Sequence, residues 1–176
     1  RKLRRILREK PAEAESAEDR LRREFKSQLK AVRGDPDSQP PDRGRMRKAL
    51  ELYLSNMQGE GAAAVAGPVR RPAKRDKYVD LEVPLAGEGK GKTKGLVIID
   101  TELHHASVRA ALKRGLRHLE RDPDGFVLYI RDSRCGFPGP AKWKATNEML
   151  QAFLAKGGTA LFLEPEQAAA WYALAL

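Results

Sequence analysis

The chain has 176 residues, a formal net charge of +10 and one cysteine, and 41% of its residues are hydrophobic, enough to fill a core. That length suits one domain of about 100 to 150 residues plus an extension. A single cysteine, Cys135, excludes an internal disulfide, and no Cys/His cluster has zinc-finger spacing, so a reducing, cytoplasmic setting is expected.

No run approaches the roughly 18 apolar residues of a membrane span, and the start lacks a charged segment followed by a continuous apolar run. No membrane partner and no secretion are therefore expected. The start at Arg1 and the close on WYALAL, in the middle of an apolar pattern, are what a piece of a longer protein would show. Most of the basic excess lies early, because residues 1–50 carry 16 Lys/Arg against 9 Asp/Glu. Such an excess favours a polyanionic partner, since neutralising phosphates releases counterions.

In chain order, RKLRRILREK is amphipathic, with Leu3, Ile6 and Leu7 on one side, and Pro11 interrupts it. Ser16 and Asp19 resemble a capping box that opens a second helix with a stripe of Leu21, Phe25, Leu29 and Val32, ended by Gly34. The Pro-, Gly- and Asp-rich stretch that follows reads as a linker. The expected division is a basic helical arm over 1–33, a linker over 34–45 and an α/β domain over 46–176.

Within that domain, 46–57 reads as a helix and 62–69 as a weak strand. Residues 78–85 alternate, with Val79, Leu81 and Val83 on one face, and 95–100 form a continuous apolar run typical of a buried strand. Residues 106–121 return to helical period, with Val108, Ala111, Leu112, Leu116 and Leu119 facing one way. Strand 126–132, a helix through Asn147, Leu150 and Phe153, strand 159–164 and a helix from Pro165 complete a β-α-β-α-β-α alternation. The expected fold is α/β, a mixed sheet with a parallel C-terminal half flanked by helices.

Several motifs carry chemistry. Ala86–Thr93 satisfies a permissive phosphate-loop pattern, but such a loop must lead into a helix, and Gly95 opens a strand instead; a basic hairpin tip is expected. Asp80 and Glu82 share a face of one strand, and Asp100 and Glu102 stand two apart at the end of the next. A hairpin would bring Asp80, Asp100 and Glu102 together as ligands for Mg²⁺, which activates water for attack on a phosphodiester. Adjacent His104 and His105, and His118 beyond them, fit helix-capping or solvated roles better than a metal site.

Arg109, Lys113, Arg114, Arg117 and Arg121 form one basic helical face suited to phosphates. In the loop after Asp132, Arg131, Arg134, Lys142 and Lys144 surround Phe137 and Trp143, and an aromatic ring between cations can stack on a base. No histidine is placed by sequence to activate Cys135 as a nucleophile.

The order of elements over residues 46–132 resembles the PD-(D/E)XK nuclease superfamily, whose core runs helix, three strands, helix, strand. The resemblance sets Glu51 on the first helix, Val79-Asp80 in the place of the Pro-Asp, and Asp100-Thr101-Glu102 in the place of the acidic-x-Lys. Valine stands for the proline and Glu102 for the signature lysine, which implies either a substitute lysine (Lys92, Lys94 or Lys113) or a degenerate, non-cleaving relative.

The function expected from these features is DNA or RNA binding within an intracellular nucleic-acid-processing or defence system, with Mg²⁺-dependent nuclease activity if the acidic set is intact. The alternative is a non-enzymatic scaffold subunit of a larger protein or ribonucleoprotein complex, docked on a protein partner through helices 3–32. A small-ligand sensor at the carboxyl ends of strands 95–100 and 126–132 has no glycine-rich fingerprint in its favour.

Overall fold

A strand apolar on both faces needs cover on both sides, and residues 95–100 are buried at every position. A computed structural model supplies that cover. It describes residues 22, 23, 26, 27, 29, 30, 40–59, 67–73, 76–85 and 93–175, apart from the side chains of 57–59.

The elements are α1 (Arg43–Gly59), β1 (Leu81–Pro84), β2 (Lys94–Asp100), α2 (His105–Arg121), β3 (Val127–Asp132), a 3-10 turn (Ser133–Cys135), α3 (Pro140–Ala155), β4 (Thr159–Leu163) and α4 (Pro165–Leu174). The sheet order is β1-β2-β3-β4. β1 pairs antiparallel to β2, with Leu81 opposite Val97, and the remaining pairs are parallel, with Asp100 opposite Arg131 and Asp132 opposite Leu163. The fold is α/β with a mixed sheet, as the alternation of patterns predicts.

Period-two alternation divides the core into two clusters. Leu96, Ile98, Val127 and Tyr129 pack with Val108, Leu112 and Leu119 of α2 and with Leu150 and Phe153 of α3. Val97, Ile99, Leu81, Val83 and Ile130 face the other way, onto Met46 and Leu50 of α1 and Ala168 and Tyr172 of α4. Gly115 lets α2 lie close, because a Cβ there would stand 3.0 Å from both the Phe153 ring and Val127.

The differences from the expected boundaries have local causes. Helix α1 begins at Arg43, inside the stretch read as linker, because Asp42 caps it: Oδ1 accepts from the backbone N–H of Gly44 (2.8 Å) and of Arg45 (3.0 Å). The Asp42 N–H also donates to the Tyr172 hydroxyl (3.1 Å), which ties this residue to α4.

The alternating stretch 78–85 yields a strand only over Leu81–Pro84, since the Asp80 carboxylate replaces a backbone acceptor for the N–H of Ile99 (2.8 Å). Of the weak strand 62–69, residues 67–69 are irregular, Arg70 bridges antiparallel to Glu82, and 62–66 lie outside the described residues. The six described positions of the arm are helical, while Leu3, Ile6, Leu7, Ser16, Asp19, Leu21, Phe25 and Val32 lie outside the described residues. Ala86–Lys92 lie outside as well, but Leu85 N–H donates to Thr93 O (3.0 Å), so the phosphate-loop match joins two paired strands.

Leu112 is fully buried between α2 and the sheet. Leu112→Ala is expected to lose about 2–5 kcal/mol in urea unfolding, whereas Leu52→Ala, at a position 47% exposed, stays within about 0.5 kcal/mol of the parent.

Candidate functional site

The amino end of β1 and the carboxyl ends of β2 and β3 lie side by side, and each brings one aspartate into the interior: Asp80, Asp100 and Asp132. A carboxylate taken out of water costs several kcal/mol unless its oxygens are met by cations and donors. All three are met in that way.

Arg43 grips Asp80 with a fork, Nε to Oδ1 at 2.9 Å and Nη2 to Oδ2 at 3.0 Å, with Arg47 3.9 Å from Oδ1. Burial nevertheless prevails and pushes the Asp80 carboxyl above its ordinary range, against the pull of Arg43 and of the Ile99 amide. Asp100 accepts from the Tyr129 hydroxyl (2.6 Å) and from the Glu102 N–H (2.8 Å), and Arg131 Nη1 lies 3.3 Å from its Oδ1.

Asp132 accepts from Arg134 Nε (2.9 Å) and Nη2 (2.6 Å) and from the Tyr172 hydroxyl (3.1 Å). Burial would raise the Asp132 carboxyl, but the bonds from Arg134 outweigh it and hold the group below its usual value. Burial pushes the Tyr172 hydroxyl up to about 12, with Asp132 adding to the effect. The Tyr129 hydroxyl is driven up by burial first and then by Asp100.

Asp80, Asp100 and Glu102 are therefore not brought together as a ligand set. Asp100 and Glu102 line a cavity of about 110 Å³ with Arg43, Lys77, Tyr78 and Ser107, whereas Asp80 is not on its wall. Among the described residues no group of three His, Cys, Asp or Glu is arranged to hold a metal ion. The chemistry of the donors agrees, because Asp80 and Asp100 already face guanidinium groups. As arranged, the set does not fit a hard dication such as Mg²⁺.

The expected nucleic-acid contacts divide. Arg131 requires a correction: it is fully buried, with Nε donating to Gly136 O (2.9 Å) and Nη2 to Glu102 O (2.8 Å) and Cys135 O (2.9 Å). It fastens the loop after β3 to the segment after β2 and is withdrawn from any ligand. Arg134 is committed to Asp132, with only 14% of its side chain exposed. Arg114 is half-buried and donates to Asp76 (2.7 Å), and that carboxyl, although burial opposes it, is held below its ordinary value by Arg114.

Lys113, Arg117, Arg121 and Lys142 are exposed, Arg109 is half-buried, and Trp143 is half-buried beside Phe137 and His105. His104 caps α2, its Nδ1 accepting from Ala106 N–H (3.3 Å), and His118 Nε2 donates to Lys94 O (2.8 Å). Of the substitute lysines, Lys92 lies outside the described residues and Lys94 is paired with Glu82 at 3.1 Å.

The sequence reading passed over a basic trough. A depression of about 640 Å³ carries Arg43, Arg47, Arg71 and Lys77 on its walls, with Asp76 and Asp80. A second, of about 560 Å³, shares Asp76 and Lys77 with the first and adds Glu82, Lys94 and Arg114. Together the two adjoining depressions carry six cationic residues and three carboxylates on their walls. The signal was present in RRPAKRDK, residues 70–77, with five basic residues in eight; Lys74 and Arg75 of this run lie outside the described residues.

Tyr129→Phe removes a hydrogen bond to a buried carboxylate and is expected to cost about 1.5–3 kcal/mol, read from chemical denaturation. The depressed carboxyls of Asp76 and Asp132 contribute stability that is complete above the unfolded-chain value of 3.8 and is lost as the pH falls through it toward the folded values. Asp80, raised, acts in the opposite sense, its unfavourable contribution easing as the folded chain takes up a proton above 3.8. Asp132→Asn is accordingly expected to lower Tm at neutral pH and to flatten the acid-side fall of Tm in melts taken between about pH 6 and 3.

Compared with known proteins, the chain matches no family model, no curated protein and no solved structure.

Proposed function

We propose that this domain is a non-catalytic nucleic-acid-binding module that holds the phosphate backbone of DNA or RNA in the basic trough. The observation that carries the reading is the excess of six cations over three carboxylates on the walls of these two adjoining depressions, which share Asp76 and Lys77. Arg43, Lys94 and Arg114 are tied to carboxylates and keep the walls in place, while Arg71, 63% exposed at its side chain, keeps only a long 3.9 Å pairing with Glu51, and Lys77 is also exposed. Exposed Lys113 and Arg117 on α2 extend the positive surface. A backbone is a fitting ligand because charge and spacing, with no base contact, suffice to hold it.

A nuclease is the second reading, favoured by one observation: Lys77 lines the same small cavity as Asp100 and Glu102, where a substitute for the missing lysine would have to stand. Against it, cleavage through Mg²⁺ would require Arg43 and Arg131 to leave the carboxylates they neutralise.

Labelled oligonucleotides titrated at several salt concentrations test the proposal. Binding is expected to weaken with salt at a log–log slope on the order of −2 to −3, the signature of about three phosphates. Arg71→Glu combined with Lys77→Glu is expected to reduce that slope by about 2. No binding at about 50 mM salt would sink the proposal, and Mg²⁺-dependent cleavage lost in Asp100→Ala would replace it with the nuclease.

A further inference from the structure

A row of aromatic rings crosses the carboxyl-end side of the sheet. His104 and His105, at the start of α2, stack with centroids 4.6 Å apart and planes 26° from parallel. His105 stands 6.1 Å from Trp143, which meets Phe137 at 5.7 Å, and Phe137 in turn meets Phe162 of β4 at 5.3 Å. Both histidines and Phe162 are exposed, and Trp143 and Phe137 are half-buried.

These five neighbouring rings, three exposed and two half-buried and meeting beyond the histidine pair at 59°, 69° and 73°, forgo part of the stabilisation that full burial would bring. Three of them are nevertheless anchored, since Trp143 and Phe137 pack on the α2–α3 core cluster and His104 makes its cap bond. Trp143 is flanked by exposed Lys142 and Lys144, and the first turn of α3 carries no acidic residue. One small cavity links the row to the trough: it is lined by Arg43 and Lys77, which also line the trough, and by Glu102 and Ser107, each two residues in sequence from one of the paired histidines.

Rings that are exposed or half-buried, with a lysine on either side of Trp143 and beside the proposed backbone site, form a platform for bases that are out of a duplex stack. We propose that the row stacks unpaired bases, so that the preferred ligand is single-stranded nucleic acid; the inference rests on reading the trough as a backbone site. Phosphate contacts alone give no advantage to a single strand, whose charge density is the lower, whereas a duplex hides its base faces from every ring in the row. Each stacked base is worth roughly tenfold in affinity.

The test uses the two tryptophans. In a Trp171→Phe background Trp143 is the only tryptophan; with its emission excited selectively over that of the tyrosines, oligothymidylate is titrated against a duplex of equal length at matched salt. The expected result is quenching of Trp143 that saturates together with anisotropy for the single strand and is absent for the duplex. The single strand is expected to bind at least about tenfold tighter. Trp143→Leu is expected to bring the affinity ratio toward one, and Trp143→Phe to recover most of it.

Oligothymidylate binding with duplex-like affinity and unchanged Trp143 emission would overturn this inference and leave the trough intact. Absence of salt-sensitive binding to either form would overturn both.

Discussion

Neutralising the buried carboxylates at one end of the sheet is the constraint on which the rest of the structure depends. Three aspartates enter the interior there, and each has recruited an arginine: Arg43 for Asp80, Arg131 for Asp100, Arg134 for Asp132. The pairs are also the joints of the fold. Arg43 brings the first turn of α1 onto the start of β1, and Arg131 binds the loops after β2 and β3 to each other. Asp132 with Tyr172 carries the tie on to α4 and to the Asp42 cap of α1. Removing one member of such a pair strands a charge, which costs more than the pair itself contributes.

This explains why residues that look like a metal site behave as a frame. Carboxylates at strand ends in an α/β sheet stand where such folds hold their ligands, and the sequence pattern is the same whether a dication or a guanidinium satisfies them. What distinguishes the two is the partner, and the partners come from far along the chain: 37 residues separate Arg43 from Asp80, and 40 separate Asp132 from Tyr172. Periodicity carries no information at that range.

The elements themselves were legible because their causes are local. The unbroken run 95–100 announced a strand buried on both faces, and the spacing of Val108, Leu112 and Leu119 announced the inner face of α2. The start of α1 was missed because Asp42, among linker-like residues, acts as a cap. The sequence groups Arg131 with the cations around Phe137 and Trp143, and its burial was not legible there because it depends on the parallel register that sets it opposite Asp100, and register is a property of the assembled sheet. The trough was missed for a different reason: its basic run lies between elements, where no periodic pattern draws attention.

Arg131 also closes the backbone carbonyls of Cys135 and Gly136 around itself, and the Cys135 thiol lies beneath that loop, 3.7 Å from Thr101 O. Burial pushes this thiol up, keeping it protonated and inert in the folded chain. The only cysteine of the protein thus sits under the same arginine clamp that joins β2 to β3. Its rate of labelling by a thiol reagent therefore times the opening of that clamp, a local clock that needs no probe to be engineered in.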